Sequence, residues 1–360
     1  MPPTSAAPSS PWLRGPLWDT ALIAFPWVPV WLWVAYGLGL ASGPQPIFWR
    51  PAFSTALVSV LALTFLHRQY VFVLVYGDRT TFASRPRAFV VVPFVLFAVV
   101  GAAVALRPGF PLALTGVLVL AGVWNVWHTV MQRYGLMRVY ASRAGGSLAS
   151  ARQARLDLAL LASSIALVAV VLAVFRARLL LDHPATLRVL ELSAPLRDGP
   201  LALVVAGVSG AGWLAIAIAW ARAELGADVP IAAHRPRLVL LASTFALLAV
   251  FVVSGPIIGY LAFGAAHALE YVAFVNHVGK KKYEGAPGVI AARLFRSPLL
   301  ALGLVLVLPA TYLVLSGRGV TALAAYVVYD VASALTHFVL DGWVWKVRKP
   351  TVAGSVVAAS

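Results

Sequence analysis

The sequence predicts an all-α, polytopic integral membrane protein, and three observations carry that prediction. Of its 360 residues, 61% are hydrophobic and only 11% charged, where ordinary soluble domains run about 45–50% apolar and about 25% charged. Apolar runs long enough to cross a ~30 Å hydrocarbon layer as helix recur along the chain. The 28 Lys and Arg outnumber the 12 Asp and Glu, giving a net charge of +16, and most of the basic residues fall on alternate junctions between those runs. This composition excludes a soluble cytosolic enzyme. It also turns the positive charge from a nucleic-acid signal into a topology signal, so no nucleic-acid partner is expected.

Residues 1–16 form a Pro/Ser/Ala-rich tail read as disordered, 17–346 a single transmembrane helical domain, and 347–360 a C-terminal tail. About ten spans are expected, near 17–42, 53–76, 88–106, 111–137, 157–175, 200–221, 238–254, 256–277, 298–315 and 320–343. The first is interrupted by Pro26 and Pro29, yet it is too long for a signal-peptide core and no A-x-A-like site follows it, so it reads as a retained span. Only Ser254-Gly255-Pro256 separates the seventh from the eighth. Counting them as two spans gathers nineteen of the 28 basic residues on one side, including Arg79, Arg85 and Arg87, Arg138 to Arg155, Lys280-Lys281-Lys282, and Lys346 to Lys349. The positive-inside rule then places both termini in the cytoplasm. The Lys280-Lys281-Lys282 run serves first to set topology, with attraction to anionic lipid as a secondary effect.

The chain has no cysteine. Disulfides, iron–sulfur clusters and thiolate zinc sites are thereby excluded, and any metal must be held by histidine, carboxylate or weaker ligands.

A charged side chain at the centre of a span costs roughly 2.5–3.5 kcal/mol by insertion scales, so intramembrane ionisable residues point to function. His67, His128, His267 and His337 lie in the second, fourth, eighth and tenth spans, which all run in the same direction. The next cytoplasmic basic residue follows after 12 positions for His67, 10 for His128, 13 for His267 and 9 for His337. At 1.5 Å per residue, the four imidazoles lie about 14–20 Å from that boundary, in one layer. Convergent imidazoles suit a metal, so these four are the expected ligands. Each has a polar neighbour about one turn away: Tyr70 for His67, Asn125 and Gln132 for His128, Glu270 and Tyr271 for His267, and Asp341 for His337. Glu270, Asp341, Tyr70 and Gln132 are therefore candidates for catalysis, by orienting ligands or joining them. Packing or interfacial roles are the alternative for each histidine, and for Trp124, Trp127, Trp343 and Trp345.

Arg68 and Arg133 adjoin the same layer and are candidates for binding a substrate headgroup. Arg133 is close enough to the cytoplasmic surface to snorkel, whereas Arg68 needs an acidic partner, Asp19 or Asp330. His183 and His234 are assigned to polar loops, without a role.

The stretch His337-Phe338-Val339-Leu340-Asp341-Gly342-Trp343-Val344-Trp345-Lys346 resembles an H-[FY]-x-x-D-x-x-[IV]-W-[KR] ending in a group of bacterial multi-pass membrane proteins without an assigned activity. His267-Ala268-Leu269-Glu270-Tyr271 followed by Lys280-Lys281-Lys282-Tyr283, and His128 through Gly135, resemble segments of the same group. At the level of class, the chain is similar to the Brp/Blh-type carotene dioxygenases, a resemblance that implies a polytopic enzyme holding iron through intramembrane histidines.

The function expected is a membrane-embedded, metal-dependent oxidoreductase acting on a lipid or isoprenoid substrate. Its cofactor would be non-haem iron, with zinc or copper as alternatives, and its partners membrane lipid and a hydrophobic small molecule. A proton-coupled or anion transporter and a b-type haem protein are the competing readings. The charge asymmetry also makes a topological prediction. A reporter that is active only in the cytoplasm, fused after Ser360, should be active, and the same reporter inserted in the loop near residue 108 should be silent. The reverse pattern would overturn the assigned orientation.

Overall fold

The computed structural model describes residues 10–40, 50–175, 194, 199–285, 288–297, 300, 303 and 320–345. Most of the expected ninth span, the C-terminal tail, His183 and most of the expected N-terminal tail lie outside these residues. Among the described residues every regular element is helical. After a short entry, Pro16–Trp18 and a π-helical turn Asp19–Ala24, come α1 (Val28–Leu40), α2 (Pro51–Tyr76), α3 (Arg79–Ala83), α4 (Pro86–Leu106), α5 (Pro111–Ala144) and α6 (Ala151–Phe175). They are followed by α7 (Pro200–Leu225), α8 (Ile231–Ser254), α9 (Pro256–Lys282), α10 (Ile290–Arg296) and α11 (Val320–Val344).

Seven of these helices are long and apolar enough to cross a membrane, or eight if the bent entry pair is one span. Their outer faces carry large apolar side chains such as Phe94, 74% exposed, which suits lipid rather than water as the lateral surroundings. The chain is thus a multi-pass helical membrane protein.

The bend in the first span has a local cause. Neither Pro26 nor Pro29 can donate a backbone hydrogen bond, and Pro16–Ala24 meets Val28–Gly37 at 54°. At the other expected ambiguity, α8 and α9 are separate helices. Gly255 between them has φ of 89°, a left-handed conformation that favours glycine.

The chain divides into two compact units. The first comprises Met1–Val58, Gln132–Glu270 and Ser360, and the second Ser59–Met131 and Tyr271–Ala359.

In the first unit, α6 packs against α7 and α8, and α8 against the π-helical turn. Asp19 on that turn accepts backbone N–H groups from Leu13 at 2.7 Å and Arg14 at 3.1 Å, and the Tyr140 hydroxyl at 2.9 Å. It thereby fixes residues that precede the first span.

Several helices of this unit run past their apolar segments. α6 begins at Ala151 rather than near 157, and α8 at Ile231 rather than near 238. His234 therefore lies in a helix and not in a loop. A buried ionic network explains the extensions. Arg237, fully buried, donates to Glu224 through Nε at 3.0 Å and Nη2 at 2.8 Å, to Asp157 through Nη2 at 2.7 Å, and to the Met137 carbonyl at 3.0 Å. Arg138 reaches Asp157 at 2.9 Å, Trp220 donates to Asp157 at 2.8 Å, and the His234 ring lies 3.0 Å from Glu224. These partners keep the polar ends of α5, α6, α7 and α8 helical and inside the protein.

In the second unit, α11 packs against α4, and α3 also against α4. Asp78 caps α3 through the Thr80 and Thr81 backbone N–H groups and accepts Lys282 at 3.0 Å and the Tyr283 hydroxyl at 2.9 Å. Burial raises the Asp78 pKa, but the Thr80 hydrogen bond and the Lys282 ammonium outweigh it and hold the carboxyl well below the usual carboxylate range.

Replacing Arg237 by Met would leave Asp157 and Glu224 buried together without their shared cation. Arg237→Met should cost about 3–5 kcal/mol, measured by unfolding in detergent. A cost below about 1 kcal/mol would show that the network contributes little to holding these helix ends.

Candidate metal centre

Three of the four histidines singled out by their depth converge within the second unit. α2 contributes His67, α5 His128 and α11 His337, and all three side chains are largely or wholly buried. The His67 and His337 rings lie 4.6 Å apart between centroids at 89°, and the His128 and His337 rings 5.0 Å apart at 74°. Two imidazoles bound to one ion about 2.1 Å from each nitrogen would have centroids about 4.5–5.2 Å apart for ligand angles of 90–109°. The observed spacings fall in that range.

Asp341 completes the group. It follows His337 by four residues on α11, which puts both side chains on one face. Its Oδ2 lies 3.6 Å from His337 Nε2 and 3.7 Å from His128 Nε2. These gaps are too long for hydrogen bonds. They are close to the ~3.4 Å that separates adjacent ligand atoms around a tetrahedral ion. One ligand atom from each of His128, His337 and Asp341 lies within 4.8 Å of the others.

The other carboxylate oxygen is held in place. Oδ1 accepts the Tyr271 hydroxyl at 2.8 Å and Trp345 Nε1 at 3.2 Å, and Trp345 also donates to the Tyr271 oxygen at 3.2 Å. The carboxylate is thus oriented by one oxygen and presents the other to the imidazoles, the arrangement by which outer partners fix a ligand. Trp345, read from the sequence as a belt or core aromatic, therefore belongs to the site. Tyr271 also packs its ring 5.5 Å from His67 and 5.6 Å from His337. Further aromatic rings adjoin the group, with Phe338 4.7 Å from the His128 ring and Trp124 6.3 Å from Phe338.

Arg68, beside His67, pairs with Asp330, one of its two expected partners, at 2.7 Å, and the same Nη1 donates to the Asp330 carbonyl at 3.0 Å. Asp19, the other expected partner, is engaged elsewhere, as described above. The Tyr70 hydroxyl accepts from Asn276 at 2.9 Å.

The remaining candidates fall in the first unit. Arg133 does not snorkel to the surface. It is buried, forms an ion pair with Glu270 and donates to Thr244 at 2.7 Å. Gln132 donates to the His267 carbonyl at 3.1 Å and contacts the second Glu270 oxygen at 3.4 Å. His267 is buried on α9, three residues before Glu270 and four before Tyr271.

Sequence reasoning overlooked Thr244, Asn276 and the Arg237 network. Thr and Asn carry no charge to draw notice, and Asp157, Glu224 and Arg237 lie at span ends, where charges are ordinary. The one available signal was that acids are few, 12 in all, so two at adjoining span ends deserved partners.

Fold and site together define a polytopic helical membrane protein with a buried His/Asp cluster capable of holding a cation. No family model, curated protein or solved structure matches the chain.

The Arg133–Glu270 pair can be isolated by a double-mutant cycle. Arg133→Met alone leaves Glu270 as an uncompensated buried charge and should cost about 3–5 kcal/mol. Adding Glu270→Leu should recover most of that loss in the same unfolding assay. Additive losses would show that the two side chains are not coupled.

Proposed function

We propose that the chain is a membrane-embedded metal-dependent oxidoreductase that binds non-haem iron through His128, His337, Asp341 and His67. Its substrate would be an apolar lipid or isoprenoid entering from the bilayer. The observation that carries the reading is the Asp341 carboxylate, with one oxygen held by Tyr271 and Trp345 and the other turned toward two imidazoles at 3.6 and 3.7 Å. Two histidines and one carboxylate on one side of an ion is the donor set of non-haem iron oxygenases. Zinc and copper accept the same donors. Iron in such a site would supply oxygen-dependent oxidation chemistry.

The residues of the chain then divide by role. Tyr271 and Trp345 orient Asp341. His267, one helical turn before Tyr271 on α9, is the fourth imidazole of the depth layer and the further ligand of this proposal. Gln132 and Glu270 position the α9 backbone at His267, with Arg133 as the charge partner of Glu270. Tyr70 supports the α2 side through Asn276, and Arg68 offers the remaining arms of its guanidinium to a polar headgroup. The charge asymmetry and the bacterial resemblance support a place in the bacterial inner membrane with the site toward the cytoplasmic leaflet.

The centroid spacings of 4.6 and 5.0 Å favour a shared ion over b-type haem, whose axial imidazoles stand opposite each other with centroids about 6.4 Å apart. The Arg68–Asp330 ion pair within two long helices favours the transporter reading, since such pairs mark solute or proton paths.

Metal analysis of the purified protein separates these readings. Wild type should carry about one metal ion per chain, His67→Ala, His128→Ala, His337→Ala and His267→Ala should each lose most of it, and His234→Ala should keep it. A metal-free wild type, or full retention in all four of the first variants, would refute the proposal, and a Soret band would assign the protein to haem.

A further inference from the structure

α10 lies at the end of α9, in the second unit, and the two make a groove that the redox proposal does not use. The apolar side of α10, Ala291, Ala292, Leu294 and Phe295, is buried in a cluster with Tyr70, Tyr271 and Tyr283. The Ala291 N–H donates to the Gly77 carbonyl at 3.1 Å. Phe295 stacks on Tyr283 at 5.7 Å and 15°. The same ring lies against Gly279, where an added Cβ would come within 2.5 Å of it, so glycine at 279 is what lets Phe295 settle onto the α9 backbone. These contacts give the groove a fixed aromatic floor.

Its volume is about 350 Å³, and its rim carries Lys280, Lys281, Arg296 and Glu284. Arg296 is held there by donating to the carbonyls of Tyr283 at 3.1 Å and Glu284 at 3.4 Å. The third lysine of the run is diverted, with Lys282 Nζ 3.0 Å from Asp78. Lys280 is exposed. Even with Lys281 left out of the count, Lys280 and Arg296 outnumber Glu284 on the rim, a positive balance that suits an anion.

We propose that this groove binds the phosphate of an anionic phospholipid headgroup. Its place favours lipid over a soluble anion. The groove lies at the end of a membrane-crossing helix, on the side that the basic residues mark as cytoplasmic. Ile290, on the same short helix as Phe295, is 63% exposed, an apolar side chain along which an acyl chain would run. Lysines and an arginine beside an aromatic floor, at the level of the headgroups, form the chemistry that recognises such lipids. The proposal is independent of the metal centre, since none of the rim residues belongs to it.

The full chain, purified and exchanged into equal parts phosphatidylglycerol and phosphatidylcholine, provides the test, with retained lipid read by native mass spectrometry. Wild type should retain phosphatidylglycerol preferentially. Lys280→Gln should reduce the preference about fivefold and Lys280→Gln/Lys281→Gln should nearly abolish it. Arg293→Gln removes an exposed charge from α10 outside the groove and should leave the preference intact. The proposal is overturned if wild type shows no preference, or if Arg293→Gln lowers it as much as Lys280→Gln does. It is also overturned if millimolar inorganic phosphate displaces the bound lipid, which would make this a phosphate site.

Discussion

A charge that leaves water for the interior of a helical membrane protein needs a partner of opposite sign or a ring of hydrogen bonds, and this constraint organises the molecule. Arg237 meets it most completely, with all its N–H groups directed at Glu224, Asp157 and the Met137 carbonyl. Arg133 meets it through Glu270 and Thr244, and Arg68 through Asp330. These are closed arrangements in which cation and anion cancel.

The His/Asp cluster follows a different pattern. Asp341 is a buried carboxylate whose nearest basic groups among the described residues are imidazoles. One of its oxygens is satisfied by Tyr271 and Trp345, and the other faces two ring nitrogens beyond hydrogen-bond range. An arginine here would have neutralised the carboxylate and ended its chemistry. Imidazoles at this distance leave room for a cation between them, and for that reason the functional reading rests on this cluster and not on the stronger ion pairs.

Much of this was legible in the sequence, for reasons that differ by level. Helix positions follow from long apolar runs, so α2, α4 and α11 fall within a few residues of their expected limits. Helix ends were read too short wherever polar residues continue the helix. α8 starts at Ile231 because His234 and Arg237 find Glu224 on α7 and Arg237 also finds Asp157 on α6, and no local pattern reports a partner such as Asp157, 80 residues away in sequence. The meeting of His67, His128 and His337 could be anticipated because depth along parallel spans is a one-dimensional quantity, fixed by counting. Which side chains share a face across helices is not, and Arg133 shows the difference. Its distance from the basic boundary allowed a snorkelling conformation, yet the rotation of α5 turns it toward Glu270.

A buried pair does more than cancel a charge, because it also fixes where its helices face. In the first unit, Arg133 on α5 spans Glu270 on α9 and Thr244 on α8, while Gln132 beside it donates to the His267 carbonyl, so one guanidinium and one amide hold three helix segments in register. In the second, Tyr271 and Trp345 act on a single carboxylate oxygen of Asp341. Their donation fixes the carboxylate plane, and it is that plane which turns the other oxygen toward the imidazoles of His128 and His337.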